Sequence, residues 1–219
     1  MAIIRSVFET KDDWSKFRSG LFTASEIHRL LSDPKDKTQK ISQGAKTYVI
    51  ERVASILAPL QPDYYSQSMQ HGNETEPQAV MTFAEKHGYD INGDDFIYTS
   101  IGGFVFFHDD ELGIGGTPDV ITPKANAEIK CPNSDTHAEY LMVNNQKDLP
   151  KEYYAQMQLN MYLTGKKLTY FVSFDDRYYS SKHHYKEIEV VYDEPFIERI
   201  INKVKIANEY KNELLSTLK

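Results

Sequence analysis

A change in hydrophobic period near Phe96 constrains the fold of this chain more than any other feature. Before it, apolar residues recur at helical spacing. After it, short apolar runs separated by Gly, Asp and Asn have the character of strands. Four such runs cover 96–100, 103–107, 115–122 and 127–131. The segment therefore predicts a strand cluster that the surrounding helices must cover.

Helical patterns flank this cluster on both sides. The spacing predicts helices over 10–20, 23–33, 42–57, 72–87, 134–142, 152–163 and 194–218, and two further strands over 168–174 and 184–191. This order indicates an α/β fold with a mixed central sheet flanked by helices. We expect one domain over 1–219, with N-terminal helices at 10–60, a core at about 70–192 and a C-terminal helix at 194–218.

The residues with the clearest chemistry lie on the last two runs of the cluster. Asp119 stands near the end of one run, and Glu128 and Lys130 lie two apart on the next, so the latter two share a face. If the runs pair, Asp119 joins them. Two carboxylates beside an ammonium form a site for a hard divalent cation next to a positive group, as phosphodiester hydrolysis requires. A solvated strand face is the alternative, but apolar neighbours such as Ile129 indicate that the strands are half-buried.

Bulk composition excludes some classes of protein. The only cysteine is Cys131, so the chain cannot hold an internal disulfide framework or a cysteine-ligated cluster. The N-terminal residues show no signal-peptide pattern and no apolar run is long enough for a membrane span, which favours the cytosol. A net charge of −7 argues against a protein that coats nucleic acid, although it leaves a nuclease with an internal basic channel open.

Four motifs, in order, resemble those of the phage lambda exonuclease family, also called the YqaJ-type viral recombinase group, within the PD-(D/E)xK nucleases. The matching segments are Trp14…Arg18-x-Gly20…Thr23-Ala24-Ser25-Glu26, Gly72-Asn73-Glu74-Thr75-Glu76, Pro118-Asp119…Glu128-Ile129-Lys130-Cys131-Pro132, and Tyr154-Ala155-Gln156-Met157-Gln158. They run across nearly the full length. One departure is His71, which stands where the family has an aromatic residue before the glycine.

This resemblance implies a catalytic set. Asp119, Glu128 and the backbone carbonyl of Ile129 would bind the catalytic metal, and Lys130 would orient or activate the attacking water. Glu76 would serve a second metal or hold a metal-bound water, and Gln156 would position Lys130 or the substrate phosphate. Asp109 also matches an acidic position of the family and is a further candidate linked to the metal. The resemblance implies Mg²⁺, with Mn²⁺ able to substitute, and two ions per site.

The resemblance also implies sites for the DNA. Arg18 and Ser25 match residues that hold the 5′-phosphate. Arg18 would offer its planar guanidinium to the phosphate oxygens, and Ser25 would lie at the N-terminus of a helix, which attracts anions. The pattern from Thr23 to Glu26 predicts that this helix opens with a capping box. Without the resemblance, the simpler interpretation is that Arg18 is a solvated helix residue and Ser25 is part of a capping turn. Met69 matches, by spacing from Glu76, an apolar residue that wedges between bases.

The implied function is a Mg²⁺-dependent 5′→3′ exonuclease, a deoxyribonuclease that degrades one strand of linear double-stranded DNA. It would release mononucleotides and leave 3′ single-stranded tails for recombination. The implied assembly is a homotrimer ring around DNA, with a phage single-strand annealing protein as partner and no membrane contact. The protein would be encoded by a phage or prophage and act in the bacterial host cytoplasm.

Two alternatives remain open at this point. One is an endonuclease or a single-strand exonuclease on the same fold, which a closed circular substrate would distinguish from an end-dependent enzyme. The other is a non-catalytic accessory protein that binds DNA ends in recombination. The complete set of Asp119, Glu128 and Lys130 argues against this last option, because a degenerate site is expected to have lost one member.

Overall fold

A computed structural model of the protein describes residues 2–58, 67–100 and 104–218. Its strands are β1 (Ile4–Phe8), β2 (Phe22–Thr23), β3 (Ile97–Tyr98), β4 (Phe104–Asp109), β5 (Ile114–Gly116), β6 (Val120–Ile121), β7 (Asn126–Lys130), β8 (Leu168–Phe174) and β9 (Tyr185–Val191). Its α-helices are α1 (Lys11–Phe17), α2 (Gln43–Leu57), α3 (Gln67–His87), α4 (Ser134–Met142), α5 (Lys151–Thr164) and α6 (Glu194–Thr217). Short 3-10 helices cover Ala24–Leu30, Gln146–Asp148 and Ser181–His183.

The described strands divide between two sheets. One has the order β1-β4-β5-β2 and the other the order β3-β6-β7-β8-β9. β2 pairs with β5 and β7 pairs with β8 in parallel, while the other neighbours are antiparallel. The mixed α/β fold expected from the sequence is confirmed.

The predicted strand over 115–122 is wrong as a single element, and its break places the site. β5 ends at Gly116 and belongs to the first sheet, whereas β6 begins at Val120 and belongs to the second. Pro118 lies between them, and because proline has no backbone N–H it cannot continue a paired strand. Asp119 therefore stands where the chain crosses from one sheet to the other.

The capping box predicted at Thr23 does not form. Thr23 is the last residue of β2, its N–H donates to the Tyr48 hydroxyl at 3.1 Å, and its side chain makes no cap hydrogen bond. Glu26 accepts from Arg29 at 2.7 Å instead of turning back towards Thr23. The segment that follows is a 3-10 helix that ends at Leu30, so the α-helix predicted over 23–33 is wrong.

Helix α5 is the central element of the core. Its buried residues extend around most of its surface, as expected of a helix enclosed by other elements; they are Ala155, Met157, Gln158, Leu159, Asn160, Met161 and Leu163. It packs against the 3-10 helix at Ala24–Leu30, against α6, and against strands of both sheets. One face of α5 thus reaches the crossing at Asp119.

A second core lies beneath α3. Phe83 and neighbouring residues of that helix pack on Val120, Ile129 and Val172 from the second sheet. This packing fixes the helix that carries Glu76 against the strands that carry Glu128 and Lys130. None of the described helices is both long and apolar enough to cross a membrane.

Candidate active site

The two acidic segments pair, which meets the condition under which Asp119 joins Glu128 and Lys130. Val120 of β6 lies opposite Ala127 of β7 in an antiparallel ladder. The backbone N–H of Ile129 donates to Asp119 Oδ2 at 2.6 Å, while Thr99 N–H donates to the Asp119 carbonyl at 3.0 Å. Asp119 is therefore held through its side chain on one flank and its backbone on the other.

Glu128 lies at the centre of the site and is 1% exposed. Its Oε1 accepts from Lys130 Nζ at 2.6 Å and from Gln156 Nε2 at 2.5 Å. Asn160 Nδ2 lies 3.5 Å from Oε2. Gln156 and Asn160 are one helical turn apart on α5, so a single face of that helix addresses both oxygens of the carboxylate.

The motif from Tyr154 to Gln158 contains two glutamines, and the structure places Gln156 in the site. Gln158 points elsewhere: its amide donates to the Val191 carbonyl at 2.7 Å and accepts from Asp193 N–H at 2.9 Å. Lys130 Nζ also lies 5.2 Å from the ring centroid of Tyr153, which closes the other flank of the ammonium.

Helix α3 brings Glu76 to the same site. Its Oε1 accepts from the Tyr98 hydroxyl at 2.9 Å and from the Ser100 hydroxyl at 3.3 Å. Burial and the charge of Asp119 raise the pKa of Glu76, and burial with the charges of Asp119 and Glu76 raises the pKa of Glu128. The carboxylates therefore share one electrostatic environment although they come from three different elements.

Burial and mutual repulsion determine the protonation of this group. Burial raises the pKa of Asp119, and burial together with the charge of Asp119 raises the pKa of Glu128 to about 8. Burial alone would lower the pKa of Lys130, but the charges of Glu128 and Asp119 raise it above its ordinary value. If all three acids were ionised, the single ammonium would leave an excess of buried negative charge.

The chemistry of this donor set fits a divalent cation. Carboxylate oxygens are the ligands that Mg²⁺ prefers, and two positive charges would relieve the repulsion among the acids. Within the described ranges, no three acidic, histidine or cysteine side chains are already arranged around one point. Asp119 and Glu128 each give an oxygen to an internal donor. The role of the Ile129 carbonyl as a ligand stays a prediction.

Asp109 lies at the end of a strand, next to a tight turn. It ends β4, where Oδ1 accepts from Leu112 N–H at 3.0 Å and its carbonyl accepts from Gly113 N–H at 2.8 Å. These bonds hold the β4–β5 turn. Among the described contacts, none joins Asp109 to the other acids of the site. Its Oδ2 is buried and has no hydrogen-bond partner among the described residues, so a metal-linked role stays a prediction.

The two residues expected to hold a 5′-phosphate lie in a cavity of about 460 Å³. Arg18 and Ser25 line it together with Asp119 and Gln156. The Arg18 guanidinium lies 4.0 Å from the ring centroid of Trp14, which presents it along the cavity wall. The cavity therefore joins a cationic side chain and an exposed hydroxyl to the acidic centre.

Close packing shapes the floor of this cavity. At Gly116 a Cβ would lie 2.3 Å from Asn160 Oδ1 and 2.7 Å from the Ala24 Cβ. Only glycine permits β5, α5 and the 3-10 helix to approach one another here. The backbone of Met69, the residue predicted to wedge between bases, belongs to α3. Its side chain is not among those that the structure describes.

Sequence reasoning missed several residues of the site. Tyr98, Thr99 and Ser100 were read as an ordinary strand, and Asn160 was not singled out. The position of Asn160, four residues after Gln156 on a predicted helix, could have indicated it. No pattern indicated Tyr98, because its contact with Glu76 depends on how α3 packs on β3.

Comparisons with known proteins found a matching family model and similar solved structures. Residues 13–167 match the YqaJ-like viral recombinase domain. The alkaline exonuclease LHK-Exo from Laribacter hongkongensis is 26% identical, with 95% of this chain and 96% of that chain covered, at a TM-score of 0.72; its complex with dAMP gives 0.74. A phage-related exonuclease from Haemophilus somnus 129PT, 19% identical over 91% of this chain and 96% of its own, shares the fold at 0.70. A search of curated proteins found no match.

Proposed function

The chain belongs to the YqaJ-like viral recombinase family, and on that premise we propose that it is a Mg²⁺-dependent 5′→3′ exonuclease of linear double-stranded DNA. Its alkaline exonuclease relatives support a nuclease that acts in recombination. The observation that carries the finer proposal is the cavity that joins Arg18 and Ser25 to Asp119. An enzyme that holds a terminal phosphate beside its acidic centre cuts at a fixed distance from the end.

The identity of the product follows from the same cavity. A volume of about 460 Å³ suits one nucleotide rather than a folded oligonucleotide. The related LHK-Exo has been crystallised with dAMP, a deoxynucleoside monophosphate. Release of mononucleotides from the 5′ end would leave a 3′ single-stranded tail on the other strand.

The acids of the site would hold the metal. Asp119 and Glu128, with the carbonyl of Ile129, form one set of oxygen donors, and Glu76 is placed for a second ion. When bound, two ions would polarise the phosphate and stabilise the attacking and leaving oxygens of an in-line displacement. Mn²⁺ has similar ligand preferences and would substitute for Mg²⁺.

Lys130 acts as a cation in this scheme. Because the charges of Glu128 and Asp119 raise its pKa, the ammonium stays protonated at neutral pH. A protonated lysine cannot abstract a proton, so it orients the attacking water or stabilises charge on the phosphate. Gln156 and Lys130 both donate to Glu128 Oε1, so Gln156 fixes the position of this carboxylate beside the ammonium.

The proposal is tested with linear duplex labelled at its ends, in the presence of Mg²⁺ and after chelation with EDTA. We expect mononucleotide release from 5′-phosphorylated ends, slower release from 5′-hydroxyl ends, and none after chelation. Closed circular duplex is the control: its cleavage would indicate an endonuclease. Digestion of single strands in preference to duplex would indicate the single-strand enzyme, and no digestion of any substrate would refute nuclease function.

The assembly is a separate part of the proposal. We propose a homotrimer ring that encloses the duplex and passes the 3′ tail to a phage single-strand annealing protein. A mass measurement in solution tests the ring. A monomeric mass would leave the cleavage chemistry intact but remove the ring as the basis of processive digestion.

A further inference from the structure

Three consecutive residues on β3 and just beyond it contact both acidic elements that flank the site. We call Tyr98, Thr99 and Ser100 the β3 bracket. Successive side chains of an extended segment alternate, so Tyr98 and Ser100 point to one side and Thr99 to the other. The first side is occupied by Glu76 of α3, and the second by the loop that carries Asp119.

The Thr99 side of the bracket fixes the backbone of the β5–β6 crossing. Thr99 N–H donates to the Asp119 carbonyl at 3.0 Å, and its hydroxyl lies 2.8 Å from the Pro118 carbonyl. Thr99 is 5% exposed, so these bonds are shielded from water. The two hydrogen bonds fix the segment between β5 and β6, which belongs to neither sheet.

The other side of the bracket fixes the carboxylate of Glu76. The Tyr98 hydroxyl donates at 2.9 Å and the Ser100 hydroxyl at 3.3 Å, and both bonds fall on Oε1. Among the described contacts, no hydrogen bond falls on Oε2, so that oxygen can accept a ligand. Without these donors, only the charge of Lys130, which pairs with Glu128 instead, would favour the Glu76 carboxylate against burial and repulsion by Asp119.

We propose that Tyr98, assisted by Ser100, is a positioning residue that holds Glu76 beside Asp119 for divalent-metal binding. The inference rests on the proposed function, because it assigns the hydroxyl a task only if the acids bind metal. It predicts that the Tyr98 hydroxyl acts through Glu76 and not through the packing of its ring. Substitution by phenylalanine separates these two roles.

The experiment compares Tyr98→Phe with wild type and with Tyr89→Phe. Tyr89 packs in the same apolar cluster and stacks near Phe96, but it does not contact the acids, so it is a matched control. Mg²⁺ binding is measured by calorimetry without DNA, and cleavage is measured in single turnovers. We expect Tyr98→Phe to lose about tenfold in Mg²⁺ affinity and in cleavage rate, as is typical when a residue that supports a metal ligand is removed. The KM for DNA should be unchanged.

A double-mutant cycle with Glu76→Gln tests whether the hydroxyl acts through the carboxylate. If it does, adding Tyr98→Phe to Glu76→Gln should change Mg²⁺ affinity and rate by less than about twofold, because the coupled effect is already lost. Ser100→Ala, at an exposed position, gives a second and smaller loss that does not depend on the Tyr98 ring. Thermal unfolding of each variant verifies that it is folded.

Two results would overturn the inference. One is a Tyr98→Phe variant with wild-type Mg²⁺ affinity and rate. The other is a loss that is equally large with and without Glu76→Gln, which would show that Tyr98 acts through packing. If the wild type cleaves DNA in either case, the proposed function stands while the inference fails. A wild type that neither binds Mg²⁺ nor cleaves would remove the proposed function, and the inference with it.

Discussion

Asp175 offers a quantitative test of the contacts that hold the chain just after β7, the strand that carries Glu128 and Lys130. It is fully buried just after β8, and it accepts from the Ser134 hydroxyl at 2.6 Å and from Arg177 Nε at 2.7 Å. Arg177 also donates to the Pro132 carbonyl at 2.9 Å, two residues beyond Lys130. We predict that Asp175→Asn destabilises the protein at neutral pH and removes one component of its acid sensitivity.

The magnitude follows from the pKa of Asp175. Burial alone would raise it, but hydrogen bonds from Arg177 and Ser134 lower it from 3.8 to about 2. At 1.36 kcal/mol per pKa unit this is about 2.4 kcal/mol, and we expect about 1–2 kcal/mol because the Arg177 side chain is 43% exposed and screened by water. Since the folded pKa is the lower one, this stability is present above pH 4 and is lost as the pH falls from about 4 to about 2.

The assay is urea unfolding followed by far-ultraviolet circular dichroism between pH 3 and pH 7. The wild type should exceed Asp175→Asn by about 1–2 kcal/mol at pH 7, and the gap should shrink to about half near pH 3. Asp176→Asn, an exposed neighbour, is the control and should show little change. A gap that stays constant over this pH range, or an equal loss in Asp176→Asn, would refute the reasoning.

Three further predictions concern the active site and its cavity. Lys130→Ala should reduce single-turnover cleavage by about 10²–10⁴-fold while duplex binding and Mg²⁺ uptake persist; a rate within a few-fold of wild type would exclude the proposed role. Arg18→Ala should reduce the preference for 5′-phosphorylated over 5′-hydroxyl ends by about tenfold or more in competition assays, because a charge-assisted bond to the terminal phosphate is lost. Gly116→Ala should lower the free energy of unfolding by about 1–3 kcal/mol through overpacking against Asn160, whereas Gly44→Ala, where an added Cβ meets nothing within 4 Å, should not.

Sequence periodicity predicted most elements that have clear boundaries. The segments 134–142 and 168–174 match a helix and a strand of the structure, because a capping asparagine and a run of alternating apolar residues mark them locally. β1 was missed, since its exposed residues carry no strong apolar pattern and its pairing with β4 joins positions about a hundred residues apart. Only tertiary contacts define such a strand.

The site was predictable to the extent that its residues follow one another along the chain. Glu128 and Lys130 share a strand face, so their contact followed from the period of two. The convergence of Glu76 and Gln156 on one site came from family motifs and not from local pattern. The metal-linked role of Asp109 also rests on the resemblance and stays a prediction, while the structure shows its Oδ1 bonded to the backbone of a turn.

The stacking of Arg18 on Trp14 has an optical consequence. Trp14 is the only tryptophan of the chain, and its ring forms part of the wall of the cavity that holds Arg18 and Ser25. Indole fluorescence depends on nearby charge, and the Arg18 guanidinium lies 4.0 Å from the centroid of the ring. A phosphate that binds Arg18 would change the field at this one fluorophore. If Arg18 holds a terminal phosphate as proposed, this tryptophan would report the arrival of a DNA end, so that binding could be timed with unlabelled duplex and separated from cleavage.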